Sequence, residues 1–214
     1  MLGGLISCQS ESPAVEPTNP AAETSLIDAK LAKYVPVQLT TDVSQLRENH
    51  RQMIPILIEA ADIMNQLFWY EAYGKKDSLM ATLTDDKVKR YVEINYGPWD
   101  RLAGNEAFVE GVGAKPAGAN FYPADMTKDE FERAKLRDKA DLYTFLRRDQ
   151  NGDLISVPYH EQFAKEVKQA SDLLQRAADL AEEPGLKKYL KLRAEALLTD
   201  QYFESDMAWM SMKE

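Results

Sequence analysis

The sequence predicts a mainly α-helical protein with a small β component, which makes it an α+β fold. Apolar residues recur at steps of three and four over several long stretches, as the buried stripe of an amphipathic helix requires. One stretch, residues 143–159, instead carries strand-forming residues on both sides of an Asn-Gly pair. The 214 residues, 44% of them hydrophobic, suffice to build a sizeable core in one large domain or two small ones.

Net charge and cysteine content exclude two classes of protein. The formal net charge is -9 and no cluster of Lys and Arg offsets it, so we expect no nucleic acid partner. We attribute the acidity to solubility. Cys8 is the single cysteine, so the fold contains no internal disulfide framework and depends on its hydrophobic core.

Residues 1–25 predict a truncated lipoprotein signal followed by a flexible tether. The string LISC at residues 5–8 resembles the lipobox of bacterial lipoproteins, in which the cysteine is acylated. Only seven residues precede Cys8 and none is basic, so either the start codon is placed too late or the chain is a fragment. Residues 9–24 are rich in Ser, Glu, Pro and Ala and contain no aromatic residue, which is typical of a tether.

Cys8 is therefore the expected lipid anchor, through which the protein would be attached to a membrane. This interpretation places the protein in the periplasm or at the cell surface, as an outer-membrane lipoprotein. The alternative is an unprocessed N-terminal tail with a chance cysteine. No other window approaches the roughly 18 apolar residues of a membrane span.

The ordered region is expected at residues 26–214, and its longest predicted element is a helix over Ser44–Tyr73. A continuous apolar stripe runs along this segment. Pro55 cannot donate a backbone N–H, so we expect a kink or a fresh start of the helix at residues 51–54. Gly74 is expected to end the helix.

Two later helices have predicted side-chain caps. Thr84 or Asp85 can cap the helix that leads into a long loop. After the loop, Thr127 and Glu130 form a capping box, in which each side chain satisfies a free backbone N–H of the other residue. The helix that begins there is expected to run to about Lys139.

Residues 143–159 predict a β-hairpin with a tight turn at Asn151-Gly152, the strongest short-range hairpin signal. A lone two-stranded hairpin is only marginally stable in water. We therefore expect partner strands, which would come from Phe108–Val112 or from chain that this sequence lacks.

Two helices and a short apolar segment are predicted after the hairpin. Apolar stripes indicate helices over Tyr159–Ala177 and Leu186–Leu198. The apolar residues of the last segment are Phe203, Met207, Trp209 and Met210. We expect them to form an exposed patch around Trp209, because the residues that would cover them lie outside this sequence.

The loop Asn95–Phe131 is central to our functional interpretation. It contains several glycines and three prolines but also large aromatic residues, so we expect an ordered, close-packed connection rather than a disordered linker. Long ordered loops between helices are often functional. The candidates for lining a cleft for an extended peptide or a sugar are Asn95, Tyr96, Trp99, Asp100, Asn120 and Tyr122. The alternative is that these side chains only pack the loop.

No metal site is predicted within this chain. His50 and His160 are its only histidines, and although His160-Glu161 begins like a zinc-binding helix, Ala164 and Lys165 stand where a second ligand is needed. Motifs for calcium loops, phosphate-binding loops and catalytic nucleophiles also lack required residues. The sequence therefore assigns no catalytic residue and no bound cofactor to this chain.

Three stretches together resemble one family of enzymes: NYGPWDRL at residues 95–102, GAKPAGANFYPADM at residues 113–126 and YFESDMAWM at residues 202–210. They are similar to the N-terminal region of the bacterial, lipoprotein-type relatives of dipeptidyl peptidase III. These relatives are zinc-dependent exopeptidases that in plants also occur fused behind Nudix hydrolase domains. The resemblance spans about Leu39 to the end of the sequence.

The resemblance implies a two-lobed metallopeptidase that holds a short peptide substrate between its lobes. The family's zinc ligands lie in an HExxGH helix and a later Glu-bearing motif, and neither occurs in this sequence. Residues 26–214 would then be the N-terminal, substrate-facing lobe, and the catalytic lobe of the same polypeptide would be missing. Zinc would belong to the complete enzyme, and this chain alone would be inactive.

A rival interpretation belongs to a different functional class. The chain could be a self-contained surface lipoprotein that binds peptide or glycan without catalysis. An open reading frame that continues into an HExxGH motif would favour the peptidase, whereas a stop codon after residue 214 would favour the binding protein.

Overall fold

A computed structural model describes residues 20–213, with side chains from Leu26 onward, and confirms a mainly α-helical fold with a small β component. Its helices are α1 (Pro20–Leu31), α2 (Glu48–Ala72), α3 (Lys76–Thr82), α4 (Asp86–Asn95), α5 (Lys128–Arg133), α6 (Tyr159–Gln162), α7 (Ala164–Leu180), α8 (Pro184–Leu197) and α9 (Phe203–Ser211). Its strands are β1 (Trp99–Asp100), β2 (Glu106–Ala107), β3 (Thr144–Arg148) and β4 (Leu154–Pro158). They form two antiparallel pairs, β1 with β2 and β3 with β4.

The described residues divide into two compact units, one that ends at Val37 and one that begins at Gln38. Helix α1 belongs to the first unit and begins at Pro20, within the segment that the sequence predicts as signal and tether. Cys8 lies outside the described residues. All other helices and strands named above belong to the second unit, and none of the described helices is long and apolar enough to cross a bilayer.

Helices α2, α7 and α8 form the frame of the second unit, because α7 packs against both of the others. Ala177 and Ala178 of α7 are fully buried in one cluster with Met53 of α2 and Leu190 of α8. Small side chains at such positions let helix backbones approach closely, while the larger residues fill the remaining space.

Helix α2 continues through Pro55 without restarting. It begins at Glu48, four residues later than expected, and ends two residues before Gly74. Pro55 removes one backbone hydrogen bond, but the buried residues Met53 and Ala60 pack into the core on either side of it. This packing favours one continuous helix, so the expected fresh start at residues 51–54 is wrong.

A second core cluster surrounds Phe145 of β3. One of its members, Phe163, lies at a break in a helix that the sequence predicts as continuous. The expected single helix over Tyr159–Ala177 is divided at Phe163, which lies between α6 and α7 with φ of -115°. The Phe163 ring is buried and packs edge-on against Tyr70 and Phe145. The interruption therefore directs a large aromatic ring into the core.

Strands β3 and β4 form the predicted hairpin, but its turn is longer than expected. Five residues lie between the last paired residues, Arg148 and Leu154. The Asp149 carboxylate accepts a hydrogen bond from the Asn151 N–H at 2.8 Å. Of the Asn151-Gly152 pair, only Gly152 has a positive φ, 87°. The common two-residue Asn-Gly turn needs a positive φ at both positions, so the Asp149 side chain stabilises a different turn.

The hairpin has no partner strand among the residues that the structure describes, so the expectation of a strand at Phe108–Val112 is wrong. The hairpin instead buries Phe145 against the helices, and the backbone N–H of Leu146 donates to the loop carbonyl of Phe121 at 3.0 Å. Packing on helices supplies the stabilisation that further strands would provide.

Helix α5 begins as predicted but ends early. The Thr127 hydroxyl accepts the Glu130 N–H at 3.1 Å, whereas the Glu130 carboxylate accepts two hydrogen bonds from Arg148 instead of completing the capping box. The helix ends at Arg133 rather than near Lys139. The Lys139 ammonium folds back and donates to three carbonyls at the end of α5, at 2.6, 2.9 and 2.9 Å, where helical partners are lacking.

Arg148 connects α5 and the residues before it to the hairpin. Its guanidinium lies 2.7 Å from Asp125 and 2.7 Å from Glu130, and it donates to the Gly152 carbonyl at 2.8 Å. The hydrogen bonds from Arg148 are the main reason why the pKa values of Asp125 and Glu130 lie below their usual range.

We expect Arg148→Gln to make the stability of the chain less sensitive to acid. A lowered carboxylate pKa stabilises the fold above the unfolded-state pKa of about 4, and this stabilisation is lost as pH falls through the lowered folded-state pKa. Urea denaturation should therefore show a larger loss of stability between about pH 5 and pH 3 for the native chain than for the variant. Lys128→Gln, which removes an exposed pair with Glu132 at 3.8 Å, should behave like the native chain. Equal pH dependence of Arg148→Gln and the native chain would contradict the expectation.

Candidate functional site

The loop between α4 and α5 is fixed to the helical frame through Asn120. Its side-chain amide donates to the carbonyl of Tyr70 at 2.7 Å, and its backbone N–H donates to the carbonyl of Glu71 at 3.0 Å. Both carbonyls lie in the last turn of α2, where helical donors are lacking. The neighbouring carbonyl of Phe121 accepts the N–H of Leu146, so two consecutive loop residues join α2 to β3.

Asn95 and Asp100 are buried and shape the beginning of the loop. The Asn95 amide donates to the Tyr91 carbonyl at 2.9 Å, and its oxygen accepts the Arg101 N–H at 3.0 Å. The Asp100 carboxylate accepts the Leu102 N–H at 3.0 Å. These bonds fix the chain where α4 ends and β1 begins.

Tyr96 and Trp99 connect the beginning of the loop to α2 and to a later part of the loop. Tyr96 ends α4 in a left-handed conformation, φ 54°, and its hydroxyl donates to Asn65 of α2 at 2.7 Å. The buried Trp99 donates its indole N–H to the Gly113 carbonyl at 2.9 Å, and its ring centroid lies 5.6 Å from that of Tyr73. Both aromatic residues therefore hold the loop together.

Tyr122 is the candidate residue that borders open space. Its side chain is 40% exposed and lines two pockets. One pocket, of about 400 Å³, lies between the loop and α5 and includes Phe131. The other, of about 640 Å³, lies between residues 114–119 and the turn at Gly104-Asn105. Volumes of this size accommodate side chains of a short peptide or a small ligand.

Gly118 determines where the Tyr122 ring lies. A Cβ atom at residue 118 would come within 2.3 Å of Cδ2 of Tyr122, so any other residue there would displace the ring. The glycine thus allows the ring to lie against the loop as a wall of both pockets.

The structure places the six candidate residues in one loop region but not around one cleft. Asn95, Tyr96, Trp99, Asp100 and Asn120 make the contacts that hold the loop, and Tyr122 alone of the six lines the two pockets described above. Substrate binding by any of the six residues stays a prediction.

Comparisons with known proteins place this fold among peptidases. The dipeptidyl peptidase III from Caldithrix abyssi superposes with a TM-score of 0.82 and 37% identity, over 87% of this chain and 38% of that chain. The dipeptidyl-peptidase III from Corallococcus sp. strain EGB gives a TM-score of 0.80 and 30% identity, over 88% of this chain and 37% of that chain. This chain has a dipeptidyl-peptidase-III-like fold.

A curated plant protein is also similar in sequence. Nudix hydrolase 3 of Arabidopsis thaliana is 31% identical over 256 aligned residues, which cover 91% of this chain and 33% of that protein. No family model matches the chain. The chain thus spans between a third and two fifths of the length of each of these relatives.

The residues of this dipeptidyl-peptidase-III-like fold that the structure describes do not fit a zinc ion. No three or more His, Cys, Asp or Glu side chains come together there as a metal ion would require. His50 instead contacts Glu183 at 3.0 Å, and His160 contacts Asp200 at 2.8 Å.

The structure also shows a group of ionisable residues that the sequence analysis missed. Burial raises the pKa of Glu71, whose carboxylate has no hydrogen bond or ion pair among the described residues. Burial, with the negative charges of Glu71 and Asp200, raises the pKa of Tyr159, and burial raises that of Tyr202 to about 12. Both hydroxyls are protonated at neutral pH, so they can donate hydrogen bonds but cannot act as bases.

No local sequence pattern could have revealed this group. His160 and Asp200 are 40 residues apart, yet the Asp200 carboxylate accepts the His160 backbone N–H at 3.1 Å and contacts Nδ1 at 2.8 Å. Asp200 adopts a φ of 57°, which is uncommon for a residue other than glycine. Only the packing of α6 beside the α8–α9 connection brings the two side chains together.

We expect Asn120→Ala to lower the free energy of unfolding by about 1 kcal/mol, because it removes the partner of the Tyr70 carbonyl. Urea denaturation measures the change. Asn151→Ala is the matched control, since Asn151 is exposed and its amide reaches only Asp149 in the same turn, at 3.4 Å. An equal loss of stability in the two variants would show that Asn120 does not anchor the loop.

Proposed function

We propose that this chain is the substrate-facing part of a zinc-dependent dipeptidyl-peptidase-III-like exopeptidase. The observation that carries the proposal is the match to the Caldithrix abyssi enzyme, a TM-score of 0.82 with 37% identity over 87% of this chain. A fold alone supports many activities, but a fold match together with identity at this level indicates a shared ancestor. The substrate would be a short peptide.

The role that we assign to this chain is to hold and position the peptide. The loop offers two pockets of about 400 and 640 Å³ with the Tyr122 ring between them. Aromatic walls and backbone amides suit an extended peptide, because they contact its side chains and its main chain respectively. The described residues do not fit zinc, so we assign them no catalytic step. Zinc and the catalytic lobe would belong to the rest of the enzyme.

A chimera tests this proposal. We expect an enzyme in which this chain replaces the matched 38% of the Caldithrix abyssi protein to release dipeptides from dipeptidyl arylamides. The chain alone should release none, because peptide-bond hydrolysis would require the zinc site of the other lobe. Absorbance of the released arylamine measures both activities.

The matched control is the Caldithrix abyssi protein without its matched segment, which should be inactive. Hydrolysis by this chain alone would contradict the proposed division of roles. A chimera that is folded by circular dichroism but inactive would contradict the proposed function. An inactive chimera, combined with binding of peptide or glycan by the isolated chain, would support the non-catalytic surface lipoprotein.

We further propose that the protein is lipid-anchored through Cys8 and faces the periplasm or the cell surface. The lipobox-like string at residues 5–8 supports this proposal. With a complete signal peptide placed upstream, metabolic labelling with a fatty-acid probe should modify the native chain but not Cys8→Ser. Ser7→Ala, which keeps the cysteine, is the control and should remain labelled. Labelling of Cys8→Ser would show that the anchor is not at this residue.

A further inference from the structure

The outward side of α9 is an apolar surface without a partner among the described residues. Phe203, Met207 and Met210 follow one another at steps of four and three, which places them on one side of the helix. Their side chains are 70%, 46% and 77% exposed. We call these three residues the α9 face.

The other side of α9 is fixed to α8. Ala208 is buried, and the Trp209 ring centroid lies 5.2 Å from that of Tyr189 in α8. Trp209 is nevertheless 57% exposed, as the sequence analysis expected for the patch around it. Arg193 of α8 donates a hydrogen bond to Asp206. These contacts hold the orientation of the helix, so the α9 face cannot turn inward to bury itself.

The α9 face differs from the apolar stripes of the other long helices. Helices α2, α7 and α8 bury most of their apolar side chains against one another in two core clusters, although Ile58 and Phe68 of α2 remain 56% and 47% exposed. Three adjacent large apolar side chains on a fixed helix are typical of a surface that packs against further polypeptide.

We propose that the α9 face packs against the part of a dipeptidyl-peptidase-III-like enzyme that lies outside the matched region. This inference rests on the proposed function. The chain covers 38% and 37% of its two solved neighbours, so most of each neighbour's polypeptide lies beyond the match. The partner is therefore an apolar surface of the same enzyme.

The small size of the α9 face favours a partner in the same polypeptide over a second copy of the chain. The nine residues of α9 form a helix about 13 Å long. Three side chains on it do not supply the roughly 600 Å² per partner that the smaller stable interfaces between separate proteins bury. A covalently connected segment needs less area, because the connection removes most of the entropic cost of association.

Methionine oxidation provides a direct test in two proteins, the chain itself and the chimera with the Caldithrix abyssi enzyme. Met207 and Met210 should be oxidised readily by hydrogen peroxide in the isolated chain. In the chimera both should react at least about tenfold more slowly, because the oxidant reaches a packed side chain only through local opening. Mass spectrometry of peptide digests measures each site separately.

A triple substitution tests the same surface by stability. Phe203→Ser, Met207→Ser and Met210→Ser together should leave the Tm of the isolated chain nearly unchanged, because all three side chains are exposed in it. In the chimera they should lower the Tm by several degrees. Leu39→Ser, at a side chain that is 91% exposed and precedes α2, is the control and should be neutral in both proteins.

The outcomes separate this inference from the proposed function. Methionines that react equally fast in both proteins would overturn the inference, as would a triple variant that leaves the Tm of the chimera unchanged. A dimer of the isolated chain in sedimentation, abolished by the triple substitution, would assign the α9 face to a second copy and also overturn it. Protected methionines in an inactive chimera would support the packing role while contradicting the proposed function.

Discussion

The anchoring of Asn120 to the last turn of α2 is the constraint on which the long loop depends. One residue satisfies two free helix carbonyls, those of Tyr70 and Glu71, and the next residue accepts the backbone N–H of Leu146 in β3. Two consecutive residues thus link the helical frame, the hairpin and the loop. Free carbonyls at a helix end need donors, so this arrangement stabilises both the helix and the loop that supplies the donors.

The polar and aromatic residues of the loop serve mainly to build it. Asn95, Trp99 and Asn120 each donate a side-chain N–H to a carbonyl oxygen of the chain, so these three side chains hold the backbone of the loop and its neighbours in place. Tyr122 differs because its hydroxyl has no hydrogen bond within the described residues and its ring borders two pockets. A rigid loop with a partly exposed aromatic ring, held edge-on against Phe131, is a suitable platform for positioning a peptide.

Two surfaces of the chain therefore have different roles in the proposed enzyme. The loop and its pockets would face the substrate, whereas the α9 face would contact the rest of the polypeptide. This chain covers less than two fifths of each of the two similar dipeptidyl peptidase III structures. An enzyme of that size has room for both a substrate and further polypeptide beside this chain.

The sequence by itself determined the apolar stripes of α2, α7 and α8 and the cap at Thr127, and it narrowed the cap of α4 to Thr84 or Asp85, because periodicity and capping depend on residues close together in the chain. It also determined the hairpin and the resemblance to dipeptidyl peptidase III. Only the tertiary structure decided which side chains bind residues that are distant in the sequence instead of the local partner or ligand that the pattern predicts. Glu130 binds Arg148 instead of completing its capping box, and five of the six candidate cleft residues hold the loop. A local pattern shows which bonds a side chain can make, but long-range packing decides which partner it meets.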